Sequence, residues 1–533
     1  MEIVRIGGGS VGQHSADTVG AKAANLARMA ALGLPVPPAF VLPIELCGAI
    51  LRGEPTAKQA VCEGVTDGVK FLEQTTGKQL GDRRQPLLVS VRSSAAQSMP
   101  GMLETVLDVG CTSAAVRGLV RMTGNPRFAW DCRRRFLESY ASVVRGIDPA
   151  SLTRCRQHLI AREGAEREHA LDSEALERLA KNYQELIDDK DGAILENPME
   201  QLITAAEAVY RSWMSDRARA YRRIENLEDL RGTAVTIQAM VFGNRGLSSA
   251  SGVAFSRDPS TGSAKPVIDV LFESQGEDVV SGTRNPETEE GMARSAAAAT
   301  VQLKEILVRL EHEFADVQDV EFTVEDGKLW ILQTRAVKRT PKAALRFAID
   351  FVDEGLITPA EALRRLNGVD LDGLVDRRLV DMGQAAGRGI AAAGGVAVGR
   401  AAFDSESAER LAAGGEPVIL MRPETTTADV AGFAVSAGIV TAIGGRTAHA
   451  ALVAREMGKP CIVGCADLNV DTIRRNARLA KTPLNEGDWL SIDGGLGAIY
   501  LGRSNIVVDR PEAELAQIKR WRDQSALASV KTA

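Results

Sequence analysis

The chain has 533 residues, of which 45% are hydrophobic and 25% are charged, and its formal net charge is −6. This length allows about two to four domains, and the composition excludes a disordered or fibrous chain. The negative charge disfavours nucleic acid as a partner for the whole surface.

The chain begins MEIVRIGGGS, where no basic region precedes an apolar stretch, and no apolar run approaches the roughly 18 residues of a membrane span. Its seven cysteines are scattered without a CxxC pair. This spacing predicts buried thiols in a reducing compartment and neither a zinc site nor a disulfide framework. We therefore predict a cytoplasmic protein with no membrane partner.

The order of the apolar patterns predicts an α/β and α+β multidomain protein. Short strands punctuated by turns fill most of residues 1–340, and a charged, helical stretch interrupts them at about 111–230. A helical linker is predicted at 341–386, and a β/α domain follows at 387–505. The remainder, 506–533, is predicted to be a C-terminal helix.

Three segments of the first domain combine cations with small residues or a tight turn, the combination that binds phosphate. GAKAANLARMAALG contains Lys22, SVRSSAAQSMPGMLETVL contains Arg92 and a loop around Gly101, and RFAWDCRRRF contains Arg135. Taken singly, each segment is equally typical of a solvated surface.

The segment DVEFTVEDGKLWILQTR, residues 319–335, predicts a β-hairpin around Asp326 and Gly327. A three-residue loop with Gly327 in the left-handed conformation places the polar residues on one face and the apolar residues on the other. The polar face then contains Asp319, Glu321, Gln333 and Arg335. Such a face suits Mg²⁺ held against a triphosphate, although a merely solvated face fits the pattern equally well.

His449, one of five histidines, lies in GGRTAHAALVAREMGKP, between glycines and a run of alanines. An apolar strand ends at Gly444 and Gly445, Thr447 is the expected cap, and a helix follows. A helix N-terminus favours bound phosphate and the neutral form of an imidazole, and both suit attack on phosphorus. The small residues would then give a nucleotide access. On spacing alone, however, a histidine here is more often a cap or a surface residue.

The surrounding residues resemble a known family. GGRTAHAALVAREMGKPCIVG and VILMRPETTTADVAGF resemble the phosphohistidine domain of the phosphoenolpyruvate-utilising enzymes, the family of pyruvate phosphate dikinase and phosphoenolpyruvate synthase. SVRSSAAQSMPGMLETVLDVG, AVTIQAMVFGNRG, SGVAFSRDPSTG, SQGEDVVSGTR and LWILQTRAVKRT resemble its nucleotide-binding domain, in family order. The resemblance covers nearly the whole chain. It implies an ATP-grasp type fold for the first domain and a swivelling phosphohistidine domain.

The resemblance also implies roles for individual residues. His449 would carry a phosphoryl group taken from the β-position of ATP, which leaves as AMP, with Arg92 and Arg335 as the catalytic cations. The implied phosphate ligands are Lys22, Arg92, Arg135 and Arg335. The implied ligands of Mg²⁺ are Glu321 and Gln333, and the further nucleotide-site residues are Gly101, Glu277 and Asp319. The implied surroundings of His449 are Gly444, Gly445, Thr447 and Arg422.

Two departures from the family pattern bear on substrates. Ala448 replaces a residue that is usually serine in the dikinases, and Arg446 is closer to the synthases, so either phosphate or water could take the γ-phosphoryl group. The family continues into a barrel that binds phosphoenolpyruvate or pyruvate, and this chain ends before it. We therefore expect the acceptor to be bound by a separate barrel subunit or to be a small molecule.

Two other functions stay open at this point. The chain could be a non-catalytic nucleotide-binding regulator, although the joint retention of Lys22, Arg92, Glu321, Gln333 and His449 disfavours this. It could also be an ATP-grasp ligase that forms an acyl phosphate, which would leave His449 without a role. The sequence does not decide between ATP and GTP or determine the oligomeric state.

Overall fold

The structure is a computed structural model that describes every residue except 1–2, 10–11, 13, 98, 100, 192–195, 282–283, 372, 426–428, 447, 473 and 532–533. It contains two compact units, Met1–Leu247 with Trp330–Thr334, and Ser248–Leu329 with Arg335–Ala533. Both units mix helices and strands, so the predicted mixed α/β multidomain class is confirmed. No helix among the described residues has the length and apolar content needed to cross a bilayer. All seven cysteines are free thiols.

The first unit is built on a five-stranded antiparallel sheet of order β1-β2-β7-β5-β6. The strands of this unit are β1 (Val4–Ile6), β2 (Ala39–Leu42), β3 (Gln79–Leu80), β4 (Pro86–Leu87), β5 (Val89–Ala95), β6 (Thr105–Val109) and β7 (Thr233–Ala239). Strands β3 and β4 form a separate short parallel pair. Every residue of the central strand β7 is buried, which places the core around it.

Helices surround this sheet and fill the stretch between β6 and β7. They are α1 (Ala16–Val19), α2 (Ala21–Ala31), α3 (Glu45–Leu51), α4 (Pro55–Thr76), α5 (Ser113–Thr123), α6 (Pro126–Val143), α7 (Pro149–Arg162), α8 (Ser173–Asp191), α9 (Pro198–Arg211) and α10 (Asp216–Ile224). Helices α6, α7 and α9 share one local start signal: the side chain of Asn125, Asp148 or Asn197 accepts a backbone N–H, and proline follows. This order suits a helix start because the proline at the first position has no N–H to leave unpaired.

The second unit begins with a four-stranded sheet of order β11-β10-β8-β9. Its elements are β8 (Ala250–Phe255), β9 (Val267–Phe272), α11 (Gly276–Ser281), α12 (Glu289–Ser295), α13 (Ala297–Phe314), β10 (Gln318–Glu325) and β11 (Lys328–Ala336). Strand β8 lies between β10 and β9 and is antiparallel to both. The middle of β11, Trp330–Thr334, belongs to the first unit, where the N–H of Ile331 donates to the Pro35 carbonyl at 2.7 Å.

After β11 come α14 (Pro341–Asp353), α15 (Pro359–Arg365) and a strand, β12 (Asp376–Val380). An eight-stranded sheet then follows, of order β13-β23-β22-β15-β16-β17-β18-β14, with a parallel centre from β15 to β18. Its strands are β13 (Gly387–Arg388), β14 (Ile390–Ala393), β15 (Val396–Ala402), β16 (Val418–Arg422), β17 (Gly438–Thr441), β18 (Cys461–Val463), β22 (Trp489–Asp493) and β23 (Ala498–Leu501). The helices that connect them are α16 (Ser405–Ala413), α17 (Val430–Val435) and α18 (His449–Glu456). Between β18 and β22 lies a small antiparallel sheet of β19 (Leu468–Asp471), β20 (Asn476–Leu479) and β21 (Thr482–Asn485).

The chain returns to its own linker at the end. Strand β24 (Asn505–Asp509) pairs with β12 in an antiparallel ribbon, and α19 (Glu512–Lys531) buries Ile518 and Trp521 against α14 and α15. The purely helical linker predicted at 341–386 and the helix predicted from 506 are therefore wrong in these parts. The strands DRRLV and NIVVD are short and lie far apart in the sequence, and local sequence patterns do not show that they pair with each other.

Candidate functional site

His449 is the first residue of α18, which follows the loop after β17. The predicted helix start is thus confirmed. The cap, however, is Ala448 instead of the predicted Thr447: Ala448 makes no side-chain cap bond, and its N–H donates to the Gly445 carbonyl at 3.0 Å. Thr447 itself lies outside the described residues.

The small residues around His449 are required by packing inside the second unit. A Cβ on Gly445 would lie 2.8 Å from Pro286 Cγ and 3.2 Å from Asp269 Oδ2. Ala450 and Ala451 are 1% and 0% exposed and pack into the core beside the eight-stranded sheet. The two alanines therefore let α18 approach the sheet closely, which corrects the expectation that they clear space for a nucleotide.

The ring of His449 meets one aromatic neighbour, Phe433 of α17. The ring centroids are 6.1 Å apart and the planes are inclined by 63°, an edge contact. Phe433 is fully buried, so the core residues around it hold its ring in this position. The Nε2 atom of His449 is buried and has no hydrogen-bond partner among the described residues.

Arg422, predicted to surround His449, supports α17. It ends β16, its Nη1 donates to the Phe403 carbonyl at 3.0 Å, and its Nε lies 3.2 Å from Asp429 Oδ1. Asp429 is the residue immediately before α17. The described contacts therefore connect Arg422 to the element that carries Phe433.

The loop before His449 is attached to the four-stranded sheet by a charged contact. Asp269 of β9 accepts the backbone N–H of Arg446 at 2.7 Å and its guanidinium Nη1 at 2.5 Å. The Asp269 side chain is 1% exposed, and that of Arg446 is 21% exposed. Nearby, the Gly444 N–H donates to Asn285 Oδ1 at 3.0 Å. Sequence reasoning did not select Asp269 or Asn285, although an aspartate inside the apolar strand VIDVLF is a signal that it needs a partner.

In the first unit, the start of α2, which includes Lys22, is bonded to β5, which includes Arg92. The N–H of Ala23 donates to Ser94 Oγ at 3.2 Å, and a Cβ on Gly20 would lie 1.9 Å from the Ser94 carbonyl oxygen. Lys22 is exposed in the first turn of α2, and Arg92 is half-buried in β5. Gly101 is exposed in the following loop with a left-handed φ of 70°. The two predicted phosphate-binding cations therefore come from elements in direct contact.

Arg135 lies on α6 and is buried against an acid. Its Nε donates to Asp131 Oδ2 at 3.0 Å, and the same carboxylate accepts Arg134 Nη2 at 2.5 Å and Asn244 Nδ2 at 2.7 Å. Burial opposes ionisation of Asp131, but Arg135 and Arg134 together hold the pKa of its carboxyl well below the ordinary range. Asp131 therefore fixes the orientation of Arg135.

The hairpin of β10 and β11 brings Asp319, Glu321 and Arg335 together. Arg335 Nε donates to Asp319 Oδ2 at 2.8 Å, so the prediction that these two residues share a face is confirmed. The loop is shorter than predicted: only Asp326 and Gly327 separate the strands, and both have positive φ, 48° and 79°. Such a turn normally places odd-numbered residues opposite even-numbered ones. Asp319 and Arg335 still meet through their side chains.

Oxygen donors that fit Mg²⁺ are present on this hairpin. Asp319 Oδ1 is buried without a hydrogen-bond partner among the described residues, and Glu321 lies close enough to raise the pKa of Asp319, after the larger effect of burial. In the described part of the chain, no group of three or more His, Cys, Asp or Glu side chains forms a closed metal site.

The last two predicted site residues, Glu277 and Gln333, belong to different units. Glu277 is exposed in the first turn of α11, in the second unit. Gln333 is buried and belongs to the segment of β11 that is part of the first unit. Their assignment to the nucleotide and the metal stays a prediction.

Comparison with known proteins gives two matching sequence families. The family described as pyruvate phosphate dikinase, AMP/ATP-binding domain, matches residues 54–299 and 289–354. The family described as PEP-utilising enzyme, mobile domain, matches residues 414–497, which include His449.

Curated relatives match along nearly the whole chain. A pyruvate, phosphate dikinase of Rhizobium meliloti (strain 1021) is 39% identical over 97% of this chain and 59% of its own length. The pyruvate, phosphate dikinase of Clostridium symbiosum is 37% identical over 96% of this chain and 60% of its own length. For pyruvate, phosphate dikinase 1, chloroplastic, of Arabidopsis thaliana, the values are 39%, 95% and 53%. The chain thus spans little more than half of the length of these relatives.

Proposed function

Because the chain belongs to the pyruvate phosphate dikinase family, defined by its AMP/ATP-binding domain, we propose that it transfers the β-phosphoryl group of ATP to His449. The observation that carries the proposal is the position of His449. It starts a helix inside the range matched by the mobile domain, and its buried Nε2 has no partner among the described residues. A helix N-terminus stabilises a phosphoryl group through its free N–H groups and its dipole.

The proposal assigns ATP to the matched nucleotide-binding range. Lys22, Arg92, Arg135 and Arg335 would contact the phosphates and stabilise the charge on the transferring group. We assign an ATP-grasp type fold to this range by resemblance to the family. Bound to Glu321 and Gln333, Mg²⁺ would neutralise phosphate charge and orient the triphosphate.

In the transfer itself, a lone pair of His449 forms a bond to the β-phosphorus while the bond from that phosphorus to the AMP oxygen breaks. His449 then carries the β- and γ-phosphoryl groups together, and the bond between them breaks as the γ-phosphoryl group passes to inorganic phosphate, which gives pyrophosphate, or to water, which gives phosphate. The family's swivelling motion would then carry the phosphohistidine to its acceptor. The relatives are named for pyruvate and phosphate, and on this basis we favour phosphate as the second substrate. The acceptor would be a small molecule such as pyruvate, or a molecule bound by a separate subunit.

The test is a product analysis. The protein is incubated with Mg²⁺ and ATP, with and without inorganic phosphate, and the nucleotides are separated by ion exchange. We expect AMP in an amount equal to the protein, with pyrophosphate in the presence of phosphate, and neither product from His449→Gln. Release of the γ-phosphoryl group as inorganic phosphate, in an amount equal to the AMP and without added phosphate, would identify water as the second substrate. ADP in place of AMP would contradict the proposal and favour a ligase of the ATP-grasp type.

A further inference from the structure

Lys459 follows the helix that His449 begins, and its ammonium group binds the end of another helix, α17. Its Nζ donates to the carbonyls of Phe433 at 2.8 Å, Ala434 at 2.5 Å and Ser436 at 2.6 Å. An ammonium has three N–H donors, so all three are used by backbone carbonyls. This arrangement ties Lys459 to α17, whose Phe433 ring lies against His449.

Helix α17 needs such support because it is short and only half covered. It has six residues, and no side chain caps its start. Val430 and Val435 are each 40% exposed, whereas Phe433 is fully buried. A helix of this length is unstable by itself, and a cation at its C-terminus interacts favourably with the unpaired carbonyls and the dipole. Partial burial lowers the pKa of Lys459.

The segment 449–459 therefore contacts α17 at two points. At its start, the His449 ring meets the edge of Phe433, and at its end, Lys459 binds the carbonyl of the same Phe433. The backbone between them is fixed by α18 and by the Lys459 N–H, which donates to the Ala454 carbonyl at 2.8 Å. Any shift of α17 would move the surface against which the imidazole rests.

We propose that Lys459 is a positioning residue: by holding the C-terminal carbonyls of α17, it keeps Phe433 against His449 and so fixes the orientation of the imidazole for phosphoryl transfer. This inference rests on the proposed function of His449. Lys459 acts through Phe433 and touches neither the nucleotide nor the reacting nitrogen.

The first test is spectroscopic and independent of ATP. The chain has five histidines, so selective isotope labelling gives few ring signals, and His449→Gln identifies that of His449. The ring current of Phe433 displaces this signal in the wild-type protein. We expect Lys459→Met and Phe433→Leu to move it in the same direction and to leave the other histidines unchanged. An unmoved signal in Lys459→Met, with a shifted one in Phe433→Leu, would overturn the inference.

The second test is the rate of His449 phosphorylation in a single turnover with β-labelled ATP. We expect Lys459→Met to be slower by roughly 10-fold, because a small misplacement of a reacting group lowers the rate strongly. The final labelled fraction and the ATP concentration at half-maximal rate should not change. Lys481→Met is the matched control, because Lys481 is exposed in the same unit, and it should behave as wild type. A lower labelled fraction at the wild-type rate would indicate partial unfolding and reject the positioning role.

Two further outcomes separate the possible failures. In the double variant Lys459→Met/Phe433→Leu, the effects on the rate should be less than additive, because both changes act on one contact. Full additivity would show that Lys459 acts by another route. If the wild-type protein takes no label, the proposed function fails, and the spectroscopic test still decides whether Lys459 orients the ring. If Lys459→Met does not fold, Lys459→Gln, which keeps two N–H donors, is measured in its place with the same criteria.

Discussion

Single residues attach the loop of His449 to its surroundings, and Asp269 is the clearest case. Its buried carboxylate accepts both the backbone N–H and the guanidinium of Arg446, three residues before His449. A buried charge of this kind is costly unless it is paired and hydrogen-bonded. The contact should therefore contribute to the stability of the second unit as well as to the placement of the loop.

We predict that Arg446→Met lowers the free energy of unfolding by about 3 kcal/mol, because Asp269 stays buried without its cation. Urea unfolding of the full chain measures the difference. Arg474→Met is the control, since Arg474 has an 80% exposed side chain and a distant ion pair at 3.8 Å, and its effect should stay below about 0.5 kcal/mol. Equal effects of the two changes would show that the Asp269 contact adds no stability.

The candidate residues that a local motif marks could be found from the sequence, whereas their supports could not. His449 and the Asp319–Arg335 pair follow from motif and alternation, and the structure places them as predicted. Phe433 and Lys459 contribute through contacts between α17 and residues 449–459, and no spacing rule links these positions. The sequence predicts that the glycines and alanines beside His449 give a nucleotide access to it, because it does not show which residues pack against them.

At the scale of elements, α6 shows how a helix holds a run of arginines in the protein interior. RFAWDCRRRF places Asp131 three and four positions before Arg134 and Arg135, so one carboxylate binds both guanidinium groups on the same helix face. Asn244, outside the helix, adds a third donor. The network therefore orients Arg135, a predicted phosphate ligand, before any nucleotide binds.

We predict that Asp131→Asn destabilises the chain by about 3 kcal/mol at pH 7, because two buried guanidinium groups lose the carboxylate that they share. The folded-state pKa of Asp131 is depressed, so its contribution is complete above the ordinary aspartate pKa of about 3.9 and is lost as the pH falls below that value. The difference between wild type and variant should thus shrink from pH 7 to about pH 3.5. Urea unfolding at both pH values measures it.

The control for this prediction is Asp216→Asn. The Asp216 side chain is 98% exposed and pairs with Arg219 at the helix surface, so its removal should change the free energy of unfolding by less than about 0.5 kcal/mol at either pH. A difference for Asp131→Asn that does not depend on pH would contradict an ionised carboxylate as the source of the stability.

Elements with strong local signals were predictable, and elements formed by distant pairing were not. The helices that start at Asn-Pro or Asp-Pro carry their start signals within a few residues. The pairing of β12 with β24 joins residues 376–380 to 505–509, and no local pattern links two segments so far apart in the sequence. The hairpin loop is one residue shorter than predicted. The alternation of polar and apolar residues indicates which residues share a face, but it does not give the length of the loop.

At the scale of the whole molecule, the predicted nucleotide ligands and His449 are carried by different segments of one chain. Lys22, Arg92 and Arg135 belong to the first unit, and Asp319, Glu321, Arg335 and His449 belong to the second. Composition and length predict several mixed domains, but they do not indicate which segments of the chain form each unit. The central proposal is therefore that the chain transfers a phosphoryl group from ATP to His449.

The measurement that tests this most directly is phosphate labelling of the intact protein with Mg²⁺, excess inorganic phosphate and ATP that carries the label at either the β or the γ position. We predict acid-labile label from the β position only, located on His449 by peptide mapping and absent from His449→Gln. Label from the γ position, or no label at all despite bound nucleotide, would contradict this prediction.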